Sequence, residues 1–263
     1  MSHPPLVLSA SSVNTYLRCG LQWYKAYVEG IKSPPSLKQA RGIAVHKAVE
    51  TNMSQKIDSR TDLPVADQLD AYSDSFEEVG VDGFDVNDPK EIGSIKDAGV
   101  KLVELHAKVV APTIQPTQVE RPVQFSLNGI TFSGQIDLED DMGRIRDTKT
   151  TGRKPVGESY ILNMTGYSLA KRQLDGEEET DIVLDYLVAT KTPYYLPLAQ
   201  GGPVTDDQIA RFAGIVEGAA DGINKGVFQP NGLISNACTW CGYKLQCKAY
   251  DNRTILGDLD FGQ

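Results

Sequence analysis

Apolar residues recur at three- and four-residue steps over the first hundred positions, and closer to two-residue steps after that. Ser9, Ser11 and Ser12 offer helix caps ahead of Val13, Tyr16 and Leu17, and a second apolar set runs to Val28, where Gly30 closes it. Ala40, Ile43, Ala44 and Ala48 predict a helix over 38–53. Two more helices are predicted at 65–79 and 90–110, separated by Gly80, Gly83 and Pro89. Beyond Pro112 the period shortens. Strands are predicted at 119–127, 130–138 and 144–150, broken by Asn128-Gly129 and by an acidic turn at 140–143. Asn-Gly between apolar runs is the strongest short signal for a hairpin. A helix at 159–174, strands at 182–189 and 194–198 and a helix at 206–225 complete the pattern. Helices, then a meander, then helix and strand again predict an α/β fold with a mixed sheet.

With 263 residues, 40% hydrophobic and 23% charged, the composition is that of one globular domain spanning residues 1–263. No run of 18 apolar residues is present, which excludes a membrane-spanning helix. The first residues lack a basic and then apolar leader pattern, so the expected location is the cytoplasm, that of a host cell if the chain is viral. The net charge of −9 is unevenly placed. Between Asp58 and Asp97 twelve acids face only Arg60, Lys90 and Lys96, and the rest of the chain is balanced at 23 against 23. Charge acts within roughly 8–10 Å at physiological salt, so an acidic lobe does not forbid a polyanion elsewhere on the surface.

The chemistry concentrates in 134–150. If two strands fold back symmetrically about Met142, Asp137 and Asp147 are directly opposed, and Lys149 shares the face of Asp147. Opposed carboxylates repel unless a cation lies between them, and hard oxygen ligands favour Mg²⁺ or Mn²⁺. Arg144, Arg146, Lys149, Arg153 and Lys154 suit a phosphate track beside such a metal. The four cysteines form a second pattern: Cys19 alone, then Cys238, Cys241 and Cys247 in C-x₂-C-x₅-C spacing. Without a leader, four thiols spaced this way read as metal ligands, and C-x₂-C by itself also suits zinc.

The order of these motifs resembles a known family. Gly134-x-x-Asp137 and Asp147-x-Lys149-Thr150, preceded by Gly42-x-x-x-His46, resemble the motifs of the PD-(D/E)xK nuclease superfamily in its RecB-type branch. The resemblance implies a restriction-endonuclease-like core in which His46, Asp137 and Asp147 bind the metal. It also implies the Thr148 carbonyl as a backbone ligand and Lys149 as the catalytic lysine. Glu50, one turn after His46, either holds the imidazole or is exposed. The branch's Q-x-x-x-Y motif appears as Asn163-x-x-x-Tyr167, one methylene shorter at its first position. Glu120 stands at a spot where related nucleases can carry an acid, with a surface role the favoured reading, and His3 and His106 read as packed or surface residues. The cysteine spacing, with the serine-capped approach to Cys19, resembles AddB-type nuclease domains and the CRISPR-associated iron–sulfur exonuclease family. That likeness implies a 4Fe–4S cluster on Cys19, Cys238, Cys241 and Cys247. The cluster would staple a C-terminal segment, 235–250, to the start of the chain, with Trp240 and Tyr243 shielding it. A helical subdomain, 37–111, would cover the site.

The implied activity is metal-dependent exonucleolytic hydrolysis of single-stranded DNA, 5′→3′. No phosphate-loop motif of a helicase motor is present, so open strands would come from a helicase, an annealing protein or a CRISPR adaptation protein. The rival readings are a weak or inactive DNA-end-binding component and a zinc-stapled interaction module.

Overall fold

The computed structural model describes residues 6–155, apart from 82, 85 and 87, and then 161–235 and 237–247; for 161, 233, 240 and 245 it describes the backbone alone. His3 lies outside the described residues. So does the start of the helix expected at 159.

The chain begins with a two-residue strand, β1 (Val7–Leu8), too short to leave a periodic signal. Ser9 then caps α1 (Ala10–Arg18) through a reciprocal pair of bonds with Ser12. Cys19 separates α1 from α2 (Gly20–Tyr27). The same device starts α3 (Leu37–Ser59), with Ser36 and Gln39, and it recurs at α7 (Asp206–Asn224), with Thr205 and Gln208. Helix α3 runs well past the expected 53, because buried Lys56 pairs with Asp62 and donates to the Ala111 carbonyl. Helices α4 (Val65–Val79) and α5 (Pro89–Leu105) follow. The last part of the helix expected to 110 is a π turn, His106–Val110. Strands β2 (Pro116–Leu127), β3 (Ile130–Asp140) and β4 (Arg144–Thr151) form the meander. Helix α6 (Ile161–Asp175), β5 (Asp181–Val188) and β6 (Tyr194–Ala199) precede α7.

The six strands form one mixed sheet in the order β1-β3-β4-β5-β6, with β2 paired to β3. Strand β2 follows β3 along one edge in antiparallel register. The other edge of β3 meets β1 in parallel at Thr131 and Phe132, and then β4 in antiparallel at Leu138 and Glu139. Among the described residues, 133–137 have no ladder partner on that edge. The gap opens where the candidate acids begin.

Two cores flank the sheet. The first joins α1, α6 and α7 to the strands through Val13, Met164, Phe212, Phe125, Phe132 and Ile136. The second joins α3, α4 and α5 through Val45, Met53, Tyr72, Phe76, Leu102 and Leu138. On β2, Val123 belongs to the first core and Val119 to the second; on β3 the same change falls between Ile136 and Leu138. The strand pair passes from one helical layer to the other at Glu120 and Asp137. This leaves a polar seam between two apolar masses.

Candidate metal centre

Register decides which side chains meet in the seam. Leu138 pairs with Arg146 and Glu139 with Ile145, which sets Asp137 opposite Asp147, as symmetry about Met142 requires. On the other side, Val119 pairs with Leu138 and Arg121 with Ile136, so Glu120 faces Asp137. Glu120 has a left-handed backbone, φ +50°, a strained state for a non-glycine residue inside a strand. Its side chain is half-buried, and one ligand atom each from Glu120, His46 and Asp137 lie within 4.8 Å of one another. Glu120 is therefore part of the site rather than the surface acid expected. The Asn128-Gly129 turn fixes that register, since Leu127 pairs with Ile130, so the same symmetry argument would have found it.

Helix α3 supplies the histidine. A Cβ on Gly42 would stand 3.2 Å from Thr150 Oγ1, so the helix lies directly on β4 where this residue has no side chain. One turn on, His46 Nε2 is in contact with the Thr148 carbonyl oxygen, and Nδ1 is 3.5 Å from Asp137 Oδ2. An Nε2 that donates to the carbonyl leaves a lone pair on Nδ1 facing a carboxylate oxygen. A proton or a cation must lie between them. Glu50 forms its ion pair with Lys47 at 2.8 Å, not with the imidazole.

Lys149 Nζ donates to Asp147 Oδ1 at 2.7 Å. The other oxygen of Asp147, and Oδ2 of Asp137, are buried with no hydrogen-bond partner. Burial, and then the charge of Asp137, push the Asp147 carboxyl well above the usual carboxylate range, and burial raises Asp137 as well. Burial also lowers the His46 imidazole, followed by the Lys149 charge. These directions share one cause: a desolvated cluster with fewer donors than acceptors.

Helix α6 closes the open edge of β3. A Cβ on Gly134 would lie 2.9 Å from the Tyr167 ring, so this glycine admits the tyrosine against the strand three residues before Asp137. Burial, then Asp137 and Asp147, raise the Tyr167 phenol; it stays a neutral O–H. Asn163 instead accepts a hydrogen bond from Asn14 Nδ2 at 2.9 Å, tying α6 to α1. His106 is buried with Nδ1 unpartnered, and desolvation lowers it to about 4.

The expected phosphate track is only partly present. Arg146 is 5% exposed and gives two bonds to Asp185, at 2.9 and 2.7 Å; Arg144 is held by Asp140 at 2.7 Å. The Arg146 guanidinium is thus taken up inside the sheet, whereas Arg144, bonded through Nε, keeps a partly exposed side chain. Arg153 and Lys154, just after β4, are exposed.

At the far end of the first core, a Cβ on Gly232 would meet Cys238 Sγ at 3.0 Å and Cys19 Sγ at 3.6 Å. Burial, then Cys19, Cys241 and Cys247 around it, raise the Cys238 thiol. All four are free thiols. Tyr243 is buried and donates to the Ile31 carbonyl at 3.1 Å; the side chain of Trp240 lies outside the described residues.

The profile of the PD-(D/E)XK nuclease superfamily matches residues 7–248. The chain belongs to this superfamily. The crystal structure of a "Putative exonuclease" from Eubacterium rectale superposes with a TM-score of 0.58 at 12% identity, covering 94% of this chain and 88% of that one. A second structure, of SSO0001, gives 0.45 at 12% identity, with 95% and 89% covered. Comparison with curated proteins finds no match. The mixed sheet with helices on both sides is thus the superfamily core, and its nucleases use Mg²⁺ or Mn²⁺, the hard cations that a histidine and carboxylates can hold. No helix is long and apolar enough to cross a membrane.

Proposed function

We propose that the protein is a metal-dependent DNA exonuclease, acting 5′→3′ on single strands. The observation that carries this reading is the carboxyl pair of Asp137 and Asp147, each with a buried oxygen that has no hydrogen-bond partner, beside Lys149. Burying unpaired charge is costly, and a fold keeps such a pair where a cation offsets it. His46, Glu120, Asp137, Asp147 and the Thr148 carbonyl are the residues that would hold Mg²⁺ or Mn²⁺. When bound, such an ion acidifies water and neutralises a phosphoryl oxygen. Lys149 is placed by its bond to Asp147 to orient the attacking water and to stabilise negative charge developing on the phosphate. Tyr167, kept neutral, offers an O–H donor at the same edge.

The cysteines are proposed to hold a 4Fe–4S cluster with a structural role. The approach of Cys19 Sγ and Cys238 Sγ to one point beside Gly232 supports a shared group, and the distant first ligand followed by C-x₂-C-x₅-C is the reason to choose the cluster over zinc. Such a cluster would join Cys19 to the 235–250 segment, closing a loop of more than two hundred residues. A helicase, an annealing protein or a CRISPR adaptation protein is the proposed source of open strands in the cytoplasm.

The test is cleavage of single-stranded DNA labelled at either end, handled anaerobically with Mg²⁺ or Mn²⁺, by wild type and Lys149→Ala. Loss of label from the 5′ end first, with the variant slower by about 10³-fold or more, is the expected result. A cluster-loaded wild type that cuts nothing with either ion would overturn the reading and leave DNA-end binding.

A further inference from the structure

A groove of about 540 Å³ lies apart from the carboxylates, between α5 and the turn that joins β5 to β6. One wall is a single face of α5, with Lys90, Ser94, Asp97 and Lys101 at helical spacing; the other carries Thr190 and Lys191. The three lysines are exposed and, among the described residues, have no carboxylate within ion-pair distance. Their setting makes this unusual. On the same helical stretch Lys96 is paired with Glu77 at 2.9 Å and Lys108 with Glu104 at 3.4 Å, and Lys90 and Lys96 lie in the segment that carries the whole negative excess. Among the described residues Asp97 is the one acid lining the groove.

The groove continues the line of β4. Ala189, also in its lining, donates to the Thr151 carbonyl at 2.7 Å. Thr151 is four residues beyond Asp147, roughly 13 Å along a strand. Arg153 and Lys154 follow it and are exposed. These two cations thus follow the strand end that borders the groove through Ala189. A nucleic acid strand advances about 3.4 Å per nucleotide when stacked, so that length corresponds to about four nucleotides.

We infer that this groove is a second contact for the substrate, holding the phosphodiester backbone of the strand about four nucleotides from the scissile bond; the inference rests on the nuclease reading of the carboxylate site. Its spacing separates short from long substrates. A trinucleotide reaches the carboxylates alone, whereas a 20-mer fills both.

The experiment compares wild type with the triple variant Lys90→Gln, Lys101→Gln, Lys191→Gln. Binding of a fluorescent single-stranded 20-mer is measured by anisotropy in chelator across a salt series, with thymidine monophosphate as a second ligand. Hydrolysis of a trinucleotide is measured with Mg²⁺ or Mn²⁺. The expected result is a 20-mer affinity reduced at least tenfold, with a salt slope smaller by about 2, as three lost single-strand phosphate contacts require. Trinucleotide hydrolysis should stay within twofold. Equal 20-mer affinity and slope in both proteins would overturn the inference. So would loss of monophosphate binding with the 20-mer unaffected, which would make the groove a free-nucleotide site. A wild type that binds the 20-mer through these lysines but cuts nothing would overturn the nuclease reading and leave the groove standing.

Discussion

Two groups of buried carboxylates lie within a few residues of each other, and they are built in opposite ways. Glu139, Asp140 and Asp185 are 3%, 2% and 1% exposed. Glu139 accepts from Arg121 and Lys171, Asp140 from Arg144 and Arg146, and Asp185 from Arg146 and the Tyr195 hydroxyl. Asp137 on β3 and Asp147 on β4 have one ammonium beside them, that of Lys149 bonded to Asp147, and keep oxygens without donors. Asp147 is as buried as the first group, at 3% exposed, while Asp137 is half-buried; what separates both from the first group is the supply of donors. A saturated carboxylate fixes strands, whereas an undersupplied one is a place for an ion that the chain does not encode.

The widest separation should come from breaking the saturated group. Asp185→Ala leaves the Arg146 guanidinium buried without its main partner, and a cost of about 3–5 kcal/mol is expected in chemical denaturation. A loss below 1 kcal/mol would erase the distinction.

The second effect has the opposite sign. Because the Asp147 carboxyl is raised in the folded state, the folded protein holds its proton at pH values where the unfolded chain has released it. Stability of the metal-free protein should therefore fall as pH rises from about 4 towards the raised value. Asp147→Asn should flatten that slope and raise the melting temperature at pH 8 by several degrees. Saturating Mg²⁺ should raise it in wild type and not in the variant, by about 2.7 kcal/mol at a hundred times the dissociation constant. Melting curves from pH 5 to 9, with and without Mg²⁺, read both; an unchanged slope in Asp147→Asn would contradict the account.

The smallest effect tests the lining of the seam. In Gly134→Ala the new methyl meets the Tyr167 ring, at a cost of about 1–3 kcal/mol. Cleavage should fall with it, and the further change Tyr167→Leu should recover stability without recovering rate. Recovery of both would reduce Tyr167 to packing.

Much of the site was legible because local rules govern it. A turn fixes a register, a register opposes two acids, and a strand puts Lys149 on the face of Asp147. Glu120 was ranked first as a surface acid although the Asn128-Gly129 turn obeys the same rule, because an acid near the start of a strand looks like a solvated one. Arg146 was misread for a different reason. Its main partner Asp185 arrives on β5, beyond a helix, where no local pattern announces it. Helix α3 outran its apolar pattern because Lys56 is held by a backbone carbonyl 55 residues away. Burial of polar groups is a tertiary decision, and the periodicity of apolar residues does not carry it.

The turn at Met142 has a consequence for how this gene can change. Gly143, with φ +75°, closes the turn, and the carbonyls of Met142 and Gly143 accept from Thr180 at the mouth of β5. Side chains alternate along a strand, so one codon gained or lost here would bring Arg146 or Thr148 to the position of Asp147 and turn the acid away. A change of two codons would keep the parity. The turn touches nothing in the seam, yet its length is read in pairs, and an odd insertion there should be as damaging as the loss of the aspartate itself.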